Sequence, residues 1–87
     1  MIIQLEEKLL EAIDQTVATA SDDELFAGGY LRGHISLSAA DCELDGVQDV
    51  EVFKQRIQTS LDQARTELTP ADQVIVADMW QSLAADI

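Results

Sequence analysis

Ser21-Asp22-Asp23-Glu24-Leu25-Phe26-Ala27-Gly28-Gly29-Tyr30-Leu31-Arg32-Gly33-His34 decides the fold. It opens as a capping box: the Ser21 hydroxyl can accept from the backbone N–H three residues on, and Glu24 can reach back. Asp22 and Asp23 sit at the positive end of the helix dipole. A helix is predicted over about 22–42. Its apolar arc is wide. Phe26, Tyr30, Gly33, Leu37 and Leu44 form one row, and Ala27, Leu31, Ile35, Ser38 and Cys42 form another. Two apolar rows call for more than one neighbour, so this helix is expected at the centre of the fold.

Outward from it, residues 2–20 read as an amphipathic helix. Ile2, Leu5, Leu9, Ile13, Thr16, Val17 and Ala20 recur at steps of three and four, with Gln4, Glu7, Lys8, Glu11, Asp14 and Gln15 opposite. Asp41 to Asp49 is acidic, holds Gly46 and reads as a loop. A third helix is predicted over about 49–67, with Val50, Phe53, Ile57, Leu61, Ala64 and Leu68 as its stripe. Thr69-Pro70-Ala71-Asp72 starts a fourth: Thr69 caps, Pro70 suits the first helical position, and Asp72 completes the box. Ile75, Val76, Met79, Trp80 and Leu83 form its buried face. No alternating strand pattern and no repeat appears. The expected fold is all-α, a compact antiparallel bundle of about four helices forming one domain over residues 1–87.

Composition narrows the function classes. Hydrophobic residues make up 47% of the 87 and charged residues 25%, a globular rather than a disordered balance. Seventeen acids face five bases, for a formal net charge of −12. Such a chain repels nucleic-acid backbones and anionic membranes, so neither is an expected partner. A macromolecular partner is expected to present a basic surface. Cys42 is the lone cysteine and rules out an internal disulfide. The acidic N-terminus does not read as a signal peptide, and no run approaches the ~20 apolar residues of a membrane span. A cytoplasmic protein is expected.

The candidate binding residues are Gly28, Gly29, Tyr30, Arg32, Gly33 and His34. Gly29 and Gly33 lie four apart, and each costs about 1 kcal/mol in a helix relative to alanine. Close packing of a neighbouring helix is the first reading, and a ligand against bare backbone the second. Tyr30 and His34 are also four apart and share a side, flanked by Asp23 and Asp41. Packing with satisfied polar atoms is the leading reading for both, ahead of ligand contact and of acid–base catalysis. One histidine and one cysteine on one helix make no nucleophilic triad, and one histidine among scattered carboxylates is a poor zinc set. No metal or other cofactor is expected. Arg32 is the only base between Lys8 and Lys54. It is expected to bridge carboxylates of another helix or, failing that, to contact an anion beside the glycines.

Asp41, Glu43, Asp45, Gly46 and Asp49 match the opening of a calcium-binding EF-hand loop. The bidentate glutamate of the twelfth position is replaced by Val52, and the apolar eighth position by Gln48. A solvated acidic turn is expected instead.

The Ser21–His34 stretch resembles the signature of the YfcL-like family of small proteobacterial proteins. Leu68-Thr-Pro-Ala-Asp-Gln73 and Asp78-Met-Trp80 are similar to that family's C-terminal pattern. The resemblance covers most of the chain. It implies a bacterial cytosolic protein and brings no activity with it. From the residues themselves the expected function is a non-catalytic binding module centred on the second helix. A small-molecule or anion binder using the same residues is the first alternative, and an enzyme using Tyr30 and His34 the second.

Overall fold

The computed structural model describes residues 1–87. Four α-helices and no strand make up the fold: α1 (Ile2–Thr16), α2 (Asp22–Leu44), α3 (Val50–Ala64) and α4 (Pro70–Ala84). Short 3-10 turns follow α1 at Val17–Thr19 and α3 at Arg65–Glu67.

The expected caps form. Ser21 Oγ accepts from the Glu24 N–H, and Glu24 Oε1 accepts from the Ser21 N–H, each at 3.2 Å. Thr69 Oγ1 accepts from the Asp72 N–H, with Pro70 in the first turn. The return bond from Asp72 is not made. Gln73 holds the turn instead, donating its Nε2 to the Arg65 and Leu68 carbonyls.

Three boundaries differ from the sequence reading. α1 stops at Thr16 rather than Ala20, because Thr16 Oγ1 donates to the Ile13 carbonyl and the chain tightens before the extended Ala20. Val17, expected in the buried stripe, is exposed. α3 likewise gives way to a tighter turn at Arg65. α2 runs two residues further, to Leu44, and ends at Gly46 with φ +69°. There the Val47 N–H bonds the Cys42 carbonyl and the Gly46 N–H bonds the Glu43 carbonyl, closing the helix in a Schellman turn.

Cross-helix bonds fix the directions. Tyr30 meets Ala64, His34 meets Ser60, and Asp45 meets Arg56, so α2 and α3 run antiparallel. Gly28 lies against Ile13, and Arg32 reaches back to Leu10, so α1 and α2 do too. α2 packs on each of the other three helices, the central role expected of it. The core is one cluster that all four helices build, with Leu31, Ile35 and Cys42 of α2 fully buried among Leu9, Phe53 and Trp80. By area bookkeeping, a fully buried Leu, Ile or Phe side chain stabilises the fold by about 1.5–3 kcal/mol.

No helix is long and apolar enough to cross a membrane. The acidic segment is divided between the end of α2, a turn and the cap of α3. Asp41 and Glu43 are helical, Asp45 pairs with Arg56 at 2.9 Å, and Asp49 caps α3 by accepting from the Glu51 and Val52 N–H groups.

Candidate functional site

The six residues singled out on α2 separate onto three sides of the helix. Gly28 and Arg32 face α1. Gly28 is buried, and a Cβ there would lie 3.0 Å from Ile13 Cγ2. The close approach expected at Gly29 and Gly33 is therefore made at Gly28. Arg32 donates to Asp14 Oδ1 and, at 3.4 Å, to the Leu10 carbonyl. That is the inter-helix bridge expected of it, and it ties α2 to α1. The depression bounded by Gly28, Gly29 and Arg32 has a volume near 140 Å³, against about 300–1,000 Å³ for ordinary small-molecule pockets.

Tyr30 and His34 face α3. The Tyr30 ring stacks on Phe26 at 6.0 Å between centroids and tilts against His34 at 4.6 Å. The i, i+4 spacing sets this ladder of rings along one edge. The Tyr30 hydroxyl donates at 3.5 Å to the Ala64 carbonyl at the end of α3. His34 Nδ1 lies 2.6 Å from Ser60 Oγ. Burial pushes the Tyr30 phenol above its usual range, and the Glu67 carboxylate adds to the shift. The fold thus favours the neutral phenol over the phenolate. No three His, Cys, Asp or Glu side chains converge as a metal set.

Gly29 and Gly33 face solvent, on the third side. A Cβ at either would meet nothing within 4 Å, and neither has a positive φ. Each still costs about 1 kcal/mol relative to alanine in a helix. Neither the backbone conformation nor the internal packing requires them.

That third side is apolar along its length. Phe26, Tyr30, Gly33, Leu37, Ala40 and Leu44 recur at steps of four, three, four, three and four. Only Tyr30 among them is turned partly inward. Phe26 is 43% exposed, Leu37 57% and Leu44 86%. The sequence reading counted this row as core; the structure sets only its Tyr30 against α3 and leaves Phe26, Leu37 and Leu44 largely exposed. The charged residues beside it are Asp22, Asp23, Asp41 and Glu43. Asp41, Asp45 and Arg56 also line a shallow groove of about 500 Å³ between α2 and α3 that Leu37 and Leu44 border.

Sequence reasoning missed Asp14 and Ser60, the partners of Arg32 and His34. Nothing in the chain singles out one acid among seventeen or one serine on α3. It also missed the open row, although the alternating three-and-four spacing was legible.

The pattern of the family described as YfcL protein matches residues 3–85. The chain belongs to the YfcL family. Within that family it is 44% identical over 85 residues to "Uncharacterized protein YfcL" of Escherichia coli (strain K12), covering 95% of this chain and 92% of that protein. No solved structure matches it.

Proposed function

We propose that this YfcL-family protein is a non-catalytic interaction module that binds a protein with a basic surface through the open side of α2. One observation supports the reading above the rest. The longest helix of the bundle is apolar on two sides and uses one of them internally, leaving Phe26, Leu37 and Leu44 in water between acidic ends. A helix apolar around its circumference normally lies buried. The −12 charge favours a basic partner and speeds its encounter. The lone buried thiol suits a reducing, cytoplasmic setting. An enzyme built on Tyr30 and His34 is less well supported, since each spends a polar atom on α3.

The test is affinity capture from bacterial lysate with the native chain and a Leu37→Lys variant as baits, at low and high salt. The expected capture is a basic protein, retained by the native bait, weakened by salt and lost with Leu37→Lys. Capture that Leu37→Lys leaves unchanged overturns the assignment to this side of α2.

A further inference from the structure

The open row of α2 carries more information than an apolar patch does. Its spacing is that of a coiled-coil seam, with Phe26, Gly33 and Ala40 in one seam position and Tyr30, Leu37 and Leu44 in the other. The row extends for about 27 Å at 1.5 Å per residue. A strict seam of this kind is the surface one helix offers to a second helix at a shallow crossing angle. Within the chain only Tyr30 of this row bonds another helix, at Ala64 of α3, while Phe26, Leu37 and Leu44 stay largely in solvent.

We infer that the occupant of this seam is a helix of another protein, amphipathic and basic along its flanks. The inference rests on the interaction-module reading and specifies the shape and charge of its partner. Three observations carry it. The spacing selects a helix over a loop or a flat surface. The exposed Phe26 and Leu37 bracket Gly33, where the bare backbone leaves a notch that takes an apolar side chain of the incoming helix. Acidic charges predominate beside the seam: Asp22 and Asp23 stand at its start and Asp41 and Glu43 at its end, while Arg56 of α3, in the groove beside Leu37 and Leu44, is paired with Asp45. Arg32 offers no exception, because it faces α1 and is held by Asp14. In paired helices the flanking charges choose the partner and its orientation. Acidic flanks at both ends favour lysine and arginine on the partner in either orientation. They disfavour a second copy of this chain, which would set acids against acids whether the helices ran parallel or antiparallel.

The probe is a labelled synthetic amphipathic helix of about three heptads with an apolar seam and lysine flanks, titrated into the full chain by fluorescence anisotropy and circular dichroism. A twin peptide with glutamate flanks is the control. Leu25 supplies the internal control. It is exposed like Phe26 and sits on the same helix, but off the seam. The expected result is saturable binding of the lysine peptide with a gain of helicity, and no binding of the glutamate twin. Leu37→Lys is expected to weaken binding at least tenfold, and Leu25→Lys less than twofold. Equal weakening by the two substitutions overturns the seam, since both change the charge alike. Lysate capture that is lost with Leu37→Lys while the lysine peptide fails to bind overturns the helical occupant and leaves the interaction module standing. Self-association in sedimentation that Leu37→Lys abolishes makes a second copy the occupant and overturns the basic partner.

Discussion

The inner side of α2 buries Leu31, Ile35 and Cys42 completely, while the outer side holds Phe26, Leu37 and Leu44 in solvent. Both sides are apolar, both follow helical spacing, and they share one backbone. The inner row meets α1, α3 and α4 and closes the core. Of the outer row only Tyr30 bonds another helix, at Ala64 of α3. Glycine shows the same division on a smaller scale. Gly28 lies on the inner side, where an added Cβ would press on the Ile13 side chain at 3.0 Å, whereas Gly29 and Gly33 have open space around them. Apolar character alone therefore does not say whether a position holds the fold together. The neighbouring element decides, and where that element is missing the residue is available for something outside the chain.

The largest expected effect separates Ile35 from Leu37, two residues apart. Ile35→Ala empties a fully buried site and is expected to cost about 2–5 kcal/mol in urea unfolding. Leu37→Ala removes a mostly hydrated side chain and is expected to stay within about 0.5 kcal/mol of the native chain. Comparable losses from both would mean that the outer row supports the fold after all.

The glycines sharpen the same contrast with opposite signs. Gly28→Leu pushes a side chain into Ile13 and is expected to destabilise by about 1–3 kcal/mol. Gly33→Ala adds a methyl group to open space on a regular helix and is expected to stabilise by about 0.5–1 kcal/mol. A loss of stability in Gly33→Ala would show a contact on that side that the fold requires.

Arg32 belongs to the α1 side despite its place among the candidate binding residues. Its side chain and that of Asp14 are both substantially exposed, and exposed pairs contribute about 0.2–1 kcal/mol. Arg32→Gln is expected to cost no more than that and to leave partner capture intact. Capture that falls tenfold with unchanged stability would move the docking surface round the helix.

The smallest effect appears at high pH. Burial holds the Cys42 thiol above its ordinary value, with Asp41 and Asp45 adding and Arg56 opposing, and Tyr30 is raised by burial and Glu67. In both cases the fold favours the neutral form. Their contribution to stability is whole below the unfolded-state values, about 8.5 for Cys and about 10 for Tyr. It is lost as the pH climbs through the raised folded-state values. Stability from these two groups is expected to decline in alkaline urea melts, and Tyr30→Phe is expected to remove the later part of the decline.

Much of the architecture was legible because the signals are local. The Ser21–Glu24 box, Pro70 after Thr69 and the three-and-four spacing around Phe53 and Leu9 each act within one turn or one face of a helix. The boundaries at Thr16 and Ala64 were not legible. The stripe continues past them in Val17 and Leu68 while the backbone tightens. The candidate site was legible as a place but not as an arrangement. Composition drew attention to residues 28–34, yet which of them face α1, α3 or water depends on where the other helices pack. A hydrophobic row with no partner in the chain looks the same in sequence as a row with one.

Amide chemical-shift mapping of the isotope-labelled chain during titration with the lysine-flanked helix tests the central claim most directly. The account predicts that the perturbed amides trace Phe26, Gly33, Leu37, Ala40 and Leu44 along the outer side of α2, with Leu31 and Ile35 little changed. Perturbations scattered over the acidic surface, or gathered in the groove beside Trp80 and Arg65, would contradict it.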